Sequence, residues 1–297
     1  LLGSYATPTL IPSEHPSAWN FFPYLLVIHA ASFMVLRGRI WWWLGYAAIA
    51  GSTAWALLWL VGKPFEPQDV WPIGLFAHAI GLISFFAISG VASLRNDDGN
   101  LTAPPLLIGL VGLAAETLIL GTLVWQADHA PLALALFMLA MVEGLLIGWK
   151  RVSLAFLAPA AAMVTLLVLV TWSEVAFHDL AMDESGLWST VPGPAAAQYL
   201  RWMLGAAVLF TLAGCLGTWL KPKPLLWGGL GGASAFLFVF AAWSRADSLL
   251  SATSWVVIAA AFAAGLLAAA TAGKARHEQH PEAGLASGLL SIGAALR

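Results

Sequence analysis

Residues 103–149 read APPLLIGLVGLAAETLILGTLVWQADHAPLALALFMLAMVEGLLIGW. Two apolar segments flank the short polar turn Gln126-Ala127-Asp128-His129, and each carries one carboxylate, Glu116 in the first and Glu143 in the second. A helix of about 20 residues, rising about 1.5 Å per residue, crosses the hydrocarbon core of a bilayer, and each segment has that length. Neither alternates apolar and polar residues as a barrel strand does. Backbone groups in lipid have to be satisfied within their own segment, so both segments read as transmembrane helices.

The same plan repeats outward in both directions, with apolar runs, Trp at their ends and short charged turns between. Apolar residues make up 60% of the chain and charged residues 9%, against roughly a quarter charged in a soluble globular domain. Thirteen Lys plus Arg and fifteen Asp plus Glu are too few to cover the outside of a soluble protein of 297 residues, so lipid is the solvent for most of the chain. No basic block is available to neutralise phosphates, which argues against a nucleic-acid partner. The lone Cys215 sits inside an apolar run and has no internal disulfide partner.

Spans are expected at 21–36, 40–61, 70–94, 103–125, 130–149, 152–172, 195–220, 225–243 and 249–272, with a truncated tenth from Ala283. The fold class is therefore all-α, a polytopic transmembrane helical bundle of about nine complete spans. It reads as a single multi-span membrane domain over 1–297. Residues 1–20, dense in proline, form an outer loop; 21–172 hold six spans; 173–193 form an outer connection; 194–297 hold the rest. A start at Leu1 and an end directly after a short apolar run read as a fragment of a longer protein. Pro159 is expected to kink the sixth span. Gly228 and Gly232, facing the Ala-rich run 259–272, are expected to let the eighth and ninth spans pack closely.

Arg37, Arg39, Arg95, Lys150, Arg151, Lys221, Lys223, Lys274 and Arg276 fall in turns on one side, and only Lys63 and Arg245 in turns on the other. The positive-inside rule makes the first side cytoplasmic and puts Leu1 outside. Trp19, Trp71, Trp125, Trp149, Trp172, Trp219 and Trp243 lie at span ends, where an indole anchors at headgroup depth.

The opening residues Gly3-Ser4-Tyr5-Ala6-Thr7-Pro8-Thr9-Leu10, followed by Trp19-Asn20-Phe21-Phe22-Pro23-Tyr24-Leu25, resemble a recurring stretch of the bacterial polytopic membrane proteins grouped as domain of unknown function 2339. The resemblance implies a multi-pass protein of the bacterial cytoplasmic (inner) membrane, with portions missing at both ends. It implies no catalytic residue.

A carboxylate near the bilayer centre costs about 2.5–3.5 kcal/mol on insertion scales, so Glu116 and Glu143 need a partner, a water-filled cavity or a proton. Counted from their outer helix ends they lie roughly 13 and 20 Å deep, and antiparallel neighbours with that offset bring them about one helical turn apart. His29, His78 and Arg201 fall roughly 9–12 Å below the same surface. These five residues are the intramembrane candidates, to be weighed against the blander reading that each merely packs or snorkels.

In the connection 173–193, Glu174, His178, Asp179 and Asp183 alternate with apolar residues in the pattern of a surface-lying amphipathic helix over Glu174–Asp183. Glu174 and His178 are spaced as two metal ligands on such a helix, but zinc wants at least three protein groups, so no metal is assigned. Phosphate-binding glycine loops and nucleophile elbows are absent, and no cofactor is assigned. The functional reading is a non-catalytic envelope or scaffold protein whose one assigned partner is the lipid bilayer. The alternatives are a permease that titrates Glu116 and Glu143, and an outward-facing enzyme acting on lipid-linked substrates through Glu14 or the acidic residues after Trp172.

Overall fold

The computed structural model describes residues 17–39, 41–62, 64–89, 103–172, 178–182 and 188–274. Among them are nine helices long and apolar enough to cross a membrane. They are α1 (Ala18–Gly38), α2 (Trp42–Gly62), α3 (Val70–Ser89), α4 (Ala103–Gln126), α5 (Pro131–Lys150), α6 (Leu157–Val170), α7 (Pro194–Leu220), α8 (Pro224–Ala246) and α9 (Ala252–Lys274). The nine spans read from hydropathy are all present. The apolar run from Ala283 and the loop 1–16 lie outside the described residues.

The chain divides into two compact units, Leu1–Ala140 and Met141–Arg297. In the first, α3 packs on α4 and α1, and α2 on α4 and α1. Small residues set the closeness of these contacts. A Cβ on Gly112 would run into the Ser84 side chain, and one on Gly109 into Phe85, so α4 approaches α3 along a glycine face. Near the Ala18 end of α1, Phe21 stacks on Trp59 and meets Trp55 edge-on, while Phe22 is buried against Trp59 and Phe76. The Trp59 indole donates to the buried Asp69 carboxylate at 2.9 Å, just ahead of α3.

Hydroxyls on the helices return to their own backbone. Thr53, Thr117, Thr122, Thr165 and Thr218 each donate to the carbonyl four residues back at 2.7–2.8 Å, which satisfies them without water.

α4 ends in a cap that hydropathy does not announce. His129 N–H donates to the Val124 carbonyl at 2.8 Å and Asp128 N–H to that of Trp125 at 3.2 Å, the paired bonds of a Schellman motif. Asp128 and His129 both have positive φ, 46° and 58°; Asp tolerates the left-handed region because its short side chain bonds locally.

In the second unit α7 and α8 form the closest pair. A Cβ on Gly214 would collide with the backbone of Gly231, and one on Gly217 with the Trp227 indole. The glycine face of α8 is thus spent on α7 and not on α9, contrary to the expectation from Gly228 and Gly232. α9 meets its neighbours around Cys215, Ala235, Leu266, Ala269 and Ala270, with Trp219 Nε1 donating to the Ala269 carbonyl at 3.0 Å. Toward its Ala252 end, Phe236, Phe240 and Trp243 hold the alanine stripe of α9 away and leave a groove of about 500 Å³.

Two further expectations are corrected. Pro159 does not kink a helix. The sixth span opens with a 3-10 turn at Val152–Leu154 and α6 starts at Leu157, which leaves Pro159 in the first turn, where its missing N–H breaks no bond. The connection 173–193 holds an antiparallel hairpin, β1 (His178–Met182) with β2 (Trp188–Pro192), pairing His178 with Pro192 and Met182 with Trp188. A helix over Glu174–Asp183 is therefore excluded. Ser189, Thr190 and Val191 favour extended backbone, and pairing satisfies a ladder that a single short helix would leave open at both ends.

Candidate functional site

Most buried polar side chains of the first unit lie on α1–α4. His78, eight residues into α3 from Val70, and Glu116, ten residues back along α4 from Gln126, sit about 12 and 15 Å from those helix ends. Both are almost fully buried, and His78 Nδ1 lies 2.6 Å from Glu116 Oε1. At that separation one proton is held between an imidazole nitrogen and a carboxylate oxygen, drawn as imidazolium and carboxylate or as imidazole and carboxylic acid. Gly81, three residues along α3 from His78, makes the room: a Cβ there would occupy the place of Glu116 Oε2.

His29 on α1 is wholly buried and lies between two serines. Its Nδ1 is 3.1 Å from Ser52 Oγ on α2 and its Nε2 is 3.3 Å from Ser84 Oγ on α3. A neutral imidazole offers one donor and one acceptor, so one serine donates and the other accepts. The ring stacks on Phe33 at 4.8 Å, which fixes its plane. Ser84 packs against Gly112, and Gly81 against Glu116. Since Gly112 and Glu116 are four residues apart on α4, and Gly81 and Ser84 three apart on α3, the two polar groups occupy adjacent turns of one interface.

Of the intramembrane candidates, the structure brings His78 and Glu116 into contact and places His29 beside them in the same unit. Glu143 lies in the second unit, half-buried on α5. Arg201 is also in the second unit, exposed on α7, with Nε donating to the Ala197 carbonyl at 3.2 Å. In the outer connection His178 and Asp179 belong to β1, whereas Glu174 and Asp183 lie outside the described residues. Because His178 lies in β1, no helix places Glu174 and His178 on one face.

Sequence reading missed Ser52, Ser84, Gly81 and Gly112. A signal was present: Gly109, Gly112 and Glu116 recur at helical spacing, as do His78, Gly81 and Ser84. Each set marks one face on which a polar group sits beside a residue with no side chain to obstruct it.

Among the described residues, nine helices long and apolar enough to span, with ionisable groups buried between those of the first unit, define a multi-pass α-helical membrane protein. The chain belongs to the family described as predicted membrane protein (DUF2339), whose model matches residues 1–297. No curated protein and no solved structure matches it.

Proposed function

We propose that this chain is a proton-handling permease in which the His78–Glu116 pair binds and releases the proton. The observation that carries the reading is the 2.6 Å contact between two ionisable side chains buried in the interior of a membrane unit. As a device for packing alone the pair is uneconomical. Inserting a carboxylate at a helix centre costs about 2.5–3.5 kcal/mol, whereas an interhelical polar contact in a bilayer returns about 0.6 and at most about 1.7 kcal/mol. A Ser or Asn would hold the helices at lower cost. His29, with hydroxyls at both ring nitrogens, extends the same interface by one turn and supplies the next station for a proton.

The scaffold reading keeps one specific support: His29 ties three helices together through two neutral contacts, which is what a structural pin would do. The enzyme reading rested on Glu14 and on acidic residues after Trp172, and nothing in the described residues adds to it. We place the protein in a bacterial cytoplasmic membrane, with the ends that carry Arg37, Lys150 and Lys221 on the cytoplasmic side.

Complementation separates the two leading readings. In cells lacking the protein, Glu116→Gln and His78→Gln variants present at normal abundance are expected to fail to restore the deletion phenotype, while a His29→Gln variant restores it in part. Full complementation by Glu116→Gln at normal abundance would remove the permease reading in favour of the scaffold.

A further inference from the structure

The groove between α8 and α9, both in the second unit, has a definite depth. On α8 its lining runs from Trp243 to Phe236, three to ten residues below the helix end at Ala246, and on α9 from Trp255 to Ala263, three to eleven residues below Ala252. At about 1.5 Å per residue, both walls begin roughly 4.5 Å below the helix ends and finish roughly 15–17 Å below them. A hydrocarbon core of about 30 Å gives each leaflet about 15 Å, so the groove is one leaflet deep. It stops there because α9 closes on its neighbours at the next turn, where Ala235 and Leu266 are wholly buried in one apolar cluster.

The two walls differ. On α8, Phe236 stacks on Phe240 at 5.8 Å and Phe240 lies against Trp243 at 6.0 Å, about one ring per turn. On α9 the side chains are short, Val256, Ala259, Ala260 and Ala263, and this leaves the space. Val239 and Trp255 are buried at the back while Phe240, Trp243 and Val256 are exposed, so the groove opens sideways. Below the two indoles no lining side chain carries a polar atom, and Trp255 Nε1 donates to the Asp247 carbonyl at 3.2 Å. Beside the mouth, the exposed hydroxyls of Ser251 and Ser254 lie 2.9 Å apart.

These features select an occupant. Binding sites for polar solutes place a few polar groups among apolar ones, and this lining places none below its mouth. A helix about 10 Å across would need roughly 900 Å³ over the roughly 12 Å between Trp255 and Ala263, nearly twice the groove's volume of about 500 Å³. A hydrocarbon chain is thinner, enters sideways from the leaflet it already occupies, and keeps its headgroup level with the indoles and hydroxyls at the mouth.

We infer that the α8–α9 groove holds one alkyl chain of a lipid from the leaflet on the Ala252 side, with the headgroup beside Ser251 and Ser254. The chain lies between the aromatic wall and the alanines and fills the space that α9 does not close. Moving from bilayer to groove brings no hydrophobic gain, so its retention rests on dispersion contacts with the ring faces. This site is independent of the His78–Glu116 pair.

The test is photolabelling of the full chain in phosphatidylcholine vesicles that contain a phosphatidylcholine with a mid-chain diazirine, the labelled residues being located by peptide mass spectrometry. Labelling at Phe236, Phe240 and Ala263 is expected to exceed that at Val208, Leu212 and Leu216, apolar residues exposed on α7, by about threefold or more. Ala260→Phe with Ala263→Phe puts two rings into the groove and is expected to remove the excess at Phe236 and Phe240. Ala261→Phe with Ala264→Phe, exposed on α9 and outside the groove, is expected to keep it. Labelling of the groove no greater than that of α7, or an excess that survives the filled groove, would overturn the site. Benzoylphenylalanine at Val256 separates other occupants: a cross-link to lipid is expected, whereas one to a second copy or to residues 283–296 would overturn the lipid assignment. If the filled variant does not fold, the labelling pattern of the unaltered protein and the cross-link at Val256 decide.

Discussion

Alanine at position 81 would put a methyl group where a Glu116 carboxylate oxygen now sits. Glu116 would have to turn away from His78 or α3 would have to back off α4, and overpacking of this kind costs typically about 1–3 kcal/mol. A Gly81→Ala variant is therefore expected to unfold earlier than the parent in a detergent titration, and to weaken any proton signal of the pair without altering either titrating residue. Parent-like stability together with a parent-like proton signal would mean that the contact is looser than 2.6 Å implies. That His78 and Glu116 were worth attention was legible from their chemistry, since ionisable groups inside spans are rare and costly. That they touch was not, because depth along a helix says nothing about rotation around it. The same gap explains Arg201, which shares their expected depth but lies exposed in the other unit.

Helix ends and helix faces were read with unequal success. All nine spans follow from the length of their apolar runs, and their boundaries from Trp, Pro and charged turns. Two features contradicted the pattern reading. Over Glu174–Asp183 polar and apolar residues fit the helical period as well as the strand period, and only the partner strand Trp188–Pro192 decides between them. The face of α8 was assigned to the wrong neighbour because a glycine pair marks a close approach without saying to what. α7 takes that face at Gly214 and Gly231, and the contrast with Gly205, which has open space around it, is testable. Gly214→Ala is expected to destabilise the chain by about 1–3 kcal/mol or more, as backbone meets backbone there. Gly205→Ala is expected to be neutral or stabilising by roughly 0.5–1 kcal/mol through helix propensity. Thermal unfolding of both variants checks the pair, and equal effects would contradict the α7–α8 geometry.

Across the membrane, the orientation of the chain and the proton chemistry of its interior are open to separate tests. The lone, buried Cys215 simplifies the first, since a Cys215→Ala background leaves no native thiol to label. Cysteines introduced at Ser189 or Thr190 in β2 are expected to react with an impermeant maleimide in intact cells, and one introduced at Lys150 only after the membrane is opened. The reverse order would invert the topology. The claim of chemistry is that a proton resides between His78 and Glu116 and leaves in the working pH range. Infrared difference spectroscopy of the purified protein between acid and alkaline pH measures this directly. The account predicts a titrating carboxyl stretching band that disappears in Glu116→Gln and shifts in His78→Gln. A spectrum with no titrating carboxyl band, or one that both substitutions leave unchanged, would contradict it.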